Sequence, residues 1–334
     1  MFNKIYEKIK KFIIKNYIGL IIIGIVMFLC FFQLPYVIYT PGGIIPLESR
    51  IKIADGYESE GSLNMSYVSM VKGTIPLLLV SYIVPNWDIV PKSNIIYNNE
   101  SIDELMEYER LQMRASIANA TLVAYQKVGK DITISNRTLN IITTTKKAKT
   151  DVKKMDQLLT LDGEEISNIE DIRTIIQNHE VGDTVKLEVL RKGNKKECSA
   201  VIYDEEDTKL MGISFLEVYD YETNPKIEVK TKNSEAGSSG GLMMSLAIYN
   251  ALTENDITKG KKIVGTGTIS SDGTVGPIDG VKYKLLGAVN NKAAMFICPK
   301  ENYNEAIKYK NALNLKIDIY GVSSFDEALS IIEN

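Results

Sequence analysis

Glu235-Ala-Gly-Ser-Ser-Gly-Gly-Leu-Met-Met-Ser245 sets one serine, Ser239, among small residues just ahead of an apolar run with helical character. Downstream come Gly265-Thr-Gly267 and then Gly276-Pro-Ile-Asp-Gly-Val-Lys-Tyr-Lys284. The single histidine, His179, lies far from these segments in sequence. A serine nucleophile here is most simply paired with a lysine base, which points toward Ser-Lys chemistry and away from a Ser-His-Asp triad. Each signal alone is weak. Ser-Ser-Gly-Gly is usually a loop, Lys284 alone reads as a solvated helix lysine, and Thr266 as an ordinary strand residue. Their order along the chain is the stronger argument.

The chain has 334 residues, 45% hydrophobic and 24% charged, enough for about two domains with a real core. Its net charge of −3 is uneven. Residues 1–16 hold Lys4, Lys8, Lys10, Lys11 and Lys15 against Glu7, a net +4 that leaves −7 on the rest. An acidic body lacks the electrostatic footprint of a nucleic-acid binder. The run Lys146, Lys147, Lys149, Lys153 and Lys154 reads as a solvated surface. No phosphate loop of the Gly-x-x-x-x-Gly-Lys-Ser/Thr type occurs, so an ATP-binding reading is disfavoured. Metal-ligand spacing is absent, so neither a metal nor another cofactor is expected. Cys30 falls in an apolar run, while Cys198 and Cys298 read as core thiols, with a disulfide between them as the alternative.

Tyr17 to Leu34, YIGLIIIGIVMFLCFFQL, is apolar apart from Gln33. About 20 such residues cross a bilayer as a helix. Residues 1–16 read as a basic cytoplasmic tail and 17–39 as a transmembrane anchor contacting lipid. Pro35 is expected to end the helix, and Tyr36 and Tyr39 to sit at the far interface. The positive-inside rule keeps the lysines cytoplasmic and places the rest outside. A cleaved signal peptide is the rival, but the run is long and no small-x-small site follows.

Residues 40–136 begin with strand-like stretches, Arg50–Ala54 and Ser62–Val71. Ile75–Val84 is expected in the core, Lys92–Leu105 is polar and irregular, and Met106–Val128 has helical spacing, with Met113, Ile117, Ala120 and Ala124 on one side. Residues 137–205 read as a small module. It has a strand at Leu139–Thr143, a strand and turn at Asp156–Gly163, and a capping box in Ser167-Asn-Ile-Glu170 opening the helix Asn168–Asn178. The alternating strand Thr184–Leu190 and its return Glu197–Tyr203 complete it. From residue 206 strands and helices alternate, including helices at Gly241–Thr253 and Val281–Asn290, so the overall class is α+β.

The run from Gln157 to Tyr203 resembles a PDZ domain, a family in which an extended peptide adds to a sheet edge beside a helix. The resemblance implies a groove between Leu139–Thr143 and Asn168–Asn178. Asn136-Arg137-Thr138 lacks the glycine of the family's carboxylate-binding loop, so capture of a free C-terminus does not follow. Nearly the whole chain resembles the membrane-anchored, PDZ-containing Lon-like serine proteases of Gram-positive bacteria. Their nucleophile motif, Gly-Pro-Ser-Ala-Gly, reads here Gly237-Ser238-Ser239-Gly240-Gly241 and assigns the nucleophile to Ser239. Ser238 replaces proline and Gly240 replaces alanine. The second motif, Pro-Ile-Gly-Gly followed by a hydrophobic residue, two variable residues and the lysine, matches Pro277–Lys284 with Asp279 in place of a glycine. It assigns the base to Lys284, and Thr266 matches a threonine that supports the lysine.

The resemblance implies a Lon-type proteolytic domain carrying the dyad in 206–334 and, with 40–136 matching its opening elements, a PDZ-like module inserted into one discontinuous domain. Three successive domains are the alternative. The implied activity is ATP-independent endopeptidase cleavage of extracytoplasmic peptides or flexible and unfolded segments, with the PDZ-like module recruiting substrate. Lon-like domains commonly form rings, so a homo-oligomer is compatible. The rival is an inactive membrane-tethered peptide-binding scaffold or chaperone. Chemically, lysine with its usual pKa of ~10.4 is a poor base near neutrality. Burial beside Val281, Leu285 and Leu286 would lower that value, and Asp279 would oppose the change. Amides around Gly237, Ser238 and Gly240 would stabilise the oxyanion, aided by the following helix N-terminus.

Overall fold

The apolar N-terminal run forms one helix, Phe2–Phe31, with a break in helical geometry at Asn16, whose side-chain amide donates to the Phe12 carbonyl at 2.8 Å. In this computed structural model residues 2–95 and 102–334 are described. Within Lys4–Phe31 the most apolar 18-residue window has a mean hydropathy of 2.3 and is 0% buried, so this helix is long and apolar enough to cross a membrane. It stops at Phe31, before Pro35. Gln33–Pro46 is a strand, with a register irregularity between Gln33 and Val37 that brackets Pro35 and absorbs its missing amide. Tyr36 and Tyr39 are therefore strand residues and not part of the helix.

The main sheet has six strands in the order Asp318–Val322, Met295–Pro299, Lys262–Gly265, Ser62–Thr74, Gln33–Pro46 and Asp88–Pro91. The first four run parallel, and the last two pair antiparallel. Strand periodicity divides its side chains between two cores. Ile263 and Ile297 join Leu242, Met243, Leu246 and Phe325 in one cluster, while Val264 and Phe296 join Val281, Leu285 and Ala306 in another. The helices Gly241–Leu252 and Phe325–Glu333 thus serve one face, and Val281–Asn290 and Lys300–Ala312 the other. Ile51–Ile53 also pairs with Ile227–Val229. Strands from before and after the small module therefore share sheets and core.

The helix expected from Met106 starts earlier, at Ile102, and runs to Val128. Of the polar stretch before it, Lys92–Asn94 forms a short 3-10 turn, while residues 96–101 lie outside the described residues. Ile75–Val84, expected in the core, is instead a short helix, Ile75–Ser81, with a solvent-facing tail. Leu79, Tyr82 and Ile83 are 63%, 82% and 82% exposed. Hydrophobicity alone does not distinguish a core segment from an uncovered one.

The module's sheet runs Ile213–Asn224, Asp131–Thr144, Gln157–Leu161, Thr184–Arg191 and Asn194–Val201, with Glu164–Glu165 beside the third strand. Leu139, Ile141, Leu158 and Leu187 pack with Ile172, Ile175 and Ile176 of the helix Ile169–Gln177. That helix is capped one residue later than expected. Asn168 accepts from the Glu170 and Asp171 amides, and Asp171 returns a bond to the Asn168 amide. Asn168 is extended, as an N-cap must be, and its short carboxamide reaches both amides. Cys198 and Cys298 are buried free thiols.

Candidate active site

Ser239 lies in the turn that enters the helix Gly241–Leu252. Three anchors hold this turn. The Gly237 amide donates to the Glu109 carbonyl at 2.9 Å, the Ser116 hydroxyl donates to the Ser238 carbonyl at 2.9 Å, and the Arg50 guanidinium pairs with Glu235. The Ser239 carbonyl accepts from the Gly267 amide at 2.8 Å and from the Thr266 hydroxyl at 3.0 Å. Fully buried Thr266 thus spends its one hydroxyl proton on the serine backbone. It is a brace for the Ser239 turn, and only its lone pairs remain to meet an amine.

The Gly237, Gly241 and Leu242 amides are bonded inside the protein. Among the described residues, those of Ser238, Ser239 and Gly240 have no hydrogen-bond acceptor. They sit at a helix N-terminus, a place suited to developing negative charge. Gly240, alanine in the related motif, has an ordinary right-handed backbone, φ −93°. A Cβ there would stand 2.6 Å from the Met65 Sδ, so the methionine occupies the space an alanine methyl would take.

Lys284 sits in the first turn of Val281–Asn290 and is 4% exposed. Burial pulls its pKa down to about 8, against the opposing pull of Asp279 and Glu109. Lys282, two residues away, is instead held by Asp88 at 2.5 Å, an aspartate that also accepts from the Tyr283 hydroxyl at 2.7 Å. Lys282 is thus tied to Asp88, whereas Lys284 is the lysine buried beside the Ser239 turn. The helix is aimed by Gly280, whose φ of +71° suits glycine and whose added Cβ would meet Val68 at 2.8 Å.

Glu109 joins the two halves of the site. Its carbonyl holds Gly237, its Oε2 would lie 3.1 Å from a Cβ on that glycine, and its charge acts on Lys284. Burial raises the Glu109 pKa, with Asp279 adding to the shift and Lys154 and Lys284 opposing it. Tyr39 is raised in the same way, by burial and then by Asp279 and Glu109. Sequence reading missed Glu109, one acidic residue among several on a polar helix. Only packing of Ile102–Val128 against Gly241–Leu252 brings it here.

A cleft of about 670 Å³ opens beside Ser239, walled by Ile45, Met65, Tyr67, Glu235 and Gly237. A second cleft, of about 620 Å³, shares Met113, Lys232 and Glu235 with it and reaches Tyr219, Asp220 and Tyr221 of the outer module strand. The peptide groove expected beside Leu139–Thr143 is not available there. That strand is interior, paired on one side with Ile213–Asn224 and on the other with Gln157–Leu161. The edge strand on that side is Ile213–Asn224, entered through Gly212 at φ +69°. Just before it, Lys209 Nζ donates to the Gln177 and His179 carbonyls at the end of the module helix.

Residues 226–333 match the Lon protease (S16) C-terminal proteolytic domain, and residues 122–202 match the PDZ domain. The Lon protease of Trichlorobacter lovleyi is 35% identical over 95 residues, 28% of this chain and 11% of that protein. The Lon protease of Haemophilus influenzae is 33% identical over 99 residues, 29% of this chain and 12% of that protein. The aligned part is therefore about a tenth of the curated relatives' length. The PDZ domain of an SdrC-like protein from Listeria monocytogenes superposes on 25% of this chain and 93% of its own, at 16% identity and a TM-score of 0.23. The chain combines a Lon-type proteolytic domain with a PDZ domain and one N-terminal helix compatible with membrane anchoring.

Proposed function

We propose that the protein is a membrane-anchored, ATP-independent endopeptidase in which Ser239 attacks a peptide carbonyl and Lys284 is the general base. The observation that carries this reading is Lys284 itself, a nearly fully buried lysine with a pKa near 8, electrostatically linked through Glu109 to the Ser239 turn. Neutral Lys284 takes the serine proton during attack and its protonated form gives it to the leaving amine. The unpaired amides of Ser238, Ser239 and Gly240 receive the oxyanion, and Thr266 fixes the turn.

The PDZ-domain sheet recruits an extended segment on its edge strand Ile213–Asn224, and the adjoining clefts lead from that strand to Ser239. An enzyme without a nucleotide-driven motor acts on peptides and on flexible or unfolded segments. By the positive-inside rule, the lysines before the anchor support a cytoplasmic N-terminus with the protease outside. Incubating the full chain in bilayer discs with peptides and an unfolded protein, followed by mass spectrometry, tests the dyad. Wild type cleaves, while Ser239→Ala and Lys284→Ala each lose at least about a hundredfold in rate. Equal products from all three would reject the assignment, and a folded wild type without cleavage would favour the scaffold reading.

A further inference from the structure

The segment from Gly73 to Trp87 contains no charged side chain and is bounded by Lys72 and Asp88. It does not fold into the core. After the short helix Ile75–Ser81 it leaves Leu79, Val80, Tyr82 and Ile83 exposed, a cluster of large apolar groups of the kind that marks an interaction surface. Strand register fixes its place. Gln33 pairs with Thr74, so this helix starts level with the point where the chain leaves the N-terminal helix at Phe31. The two helices also pack against each other. Tyr36, 37% exposed, lies on the strand that rises from the same point.

We infer that residues 75–83 form a second membrane contact, with Leu79, Tyr82 and Ile83 seated in the outer headgroup and upper acyl region of the bilayer that holds the anchor. The inference rests on reading the N-terminal helix as that anchor. A short uncharged apolar segment with a tyrosine at its edge has the chemistry of an interfacial element, and its contact with the anchor keeps it within reach of lipid. Two attachments would fix the tilt of the proteolytic domain on the membrane, where one helix followed by a strand leaves it free to swing.

The native cysteines allow both contacts to be measured separately. Cys30 is exposed on the anchor, while Cys198 and Cys298 are buried. A nitroxide on Cys30 reports the anchor. A nitroxide on Ile83→Cys, in a Cys30→Ser background, reports the proposed contact, and one on Lys308→Cys is the water-facing reference. All are carried by the full chain in lipid vesicles. The expected result is an oxygen-to-nickel collision ratio several-fold higher at positions 30 and 83 than at 308. A lipid-like ratio at 30 with a water-like ratio at 83 overturns the second contact and leaves the anchor intact. Water-like ratios at both overturn the anchor and, with it, this inference. Dipolar broadening at 83 that disappears on dilution with unlabelled protein, without oxygen contact, assigns the patch to a second copy and also overturns it.

Discussion

If Lys284 is the base proposed above, it sets the pH at which the site works, and its burial costs the fold stability. Its folded pKa, about 8, lies below its unfolded value of ~10.4. Below pH 8 the native state must hold a buried ammonium. That penalty is fully present at neutral pH and disappears as the pH rises from about 8 to about 10.4, where the unfolded chain binds the extra proton. Two results follow. The value of kcat/KM rises with pH on a limb centred near 8. Lys284→Met abolishes cleavage yet stabilises the protein by up to about 3 kcal/mol at pH 7, a gain that fades toward pH 10 in thermal melts. A destabilised methionine variant at pH 7 would contradict the burial argument. Asp279 raises the lysine pKa and is itself exposed. Asp279→Asn should therefore move the activity limb to lower pH by a fraction of a unit, read directly from the pH profile. An unmoved or alkaline-shifted limb would mean that Asp279 does not act on the base.

At the scale of elements, the loop entering Gly241–Leu252 and the helix Val281–Asn290 carry the two residues of the proposed dyad. Gly280→Ala would force an alanine to φ +71° and press its methyl on Val68, a cost of about 1–2 kcal/mol from the backbone alone. Because Lys284 is one turn away, the loss of activity should exceed what the reduced stability explains. Thermal melts and peptide cleavage on one sample separate the two effects. Gly240→Ala differs, since its backbone is ordinary and only the flexible Met65 sulfur must move. It should fold and cleave nearly as wild type does.

Both helices were legible in the sequence, because glycine stops and apolar spacing are local signals. What was not legible depended on partners. The apolar run continues from the anchor through Tyr36 and Val37, so composition cannot show that Gln33 leaves the helix to pair with Thr74. The module strand at Leu139–Thr143 has the pattern of an edge or an interior strand alike. Its second neighbour, Ile213–Asn224, lies about seventy residues downstream. Thr266 was named from the resemblance alone, and its bond to the Ser239 carbonyl could be seen only in the fold.

For the whole molecule, the main sheet takes strands from both ends of the chain, and the PDZ domain stands on a two-stranded ribbon, Asp131–Thr144 with Ile213–Asn224. The base of that ribbon belongs to the proteolytic side, where Tyr219 packs on Ala118 and Leu122 and donates to Asn119 at 2.8 Å. Higher up, Leu139 and Ile141 enter the PDZ core. The boundary therefore falls between Thr138 and Leu139 on one strand and between Glu217 and Val218 on the other. Thr138 and Val218 are directly paired, so an Asn-Gly turn can join them with hairpin geometry. If the PDZ domain is an insertion, replacing residues 139–217 by Asn-Gly leaves the proteolytic core folded. It should then cleave short unstructured peptides with unchanged kcat and the same pH limb, while KM rises for longer substrates that use the edge strand Ile213–Asn224. Loss of the cooperative melt together with all peptide cleavage would show instead that the two domains fold as one unit, and the ribbon would be a shared core element.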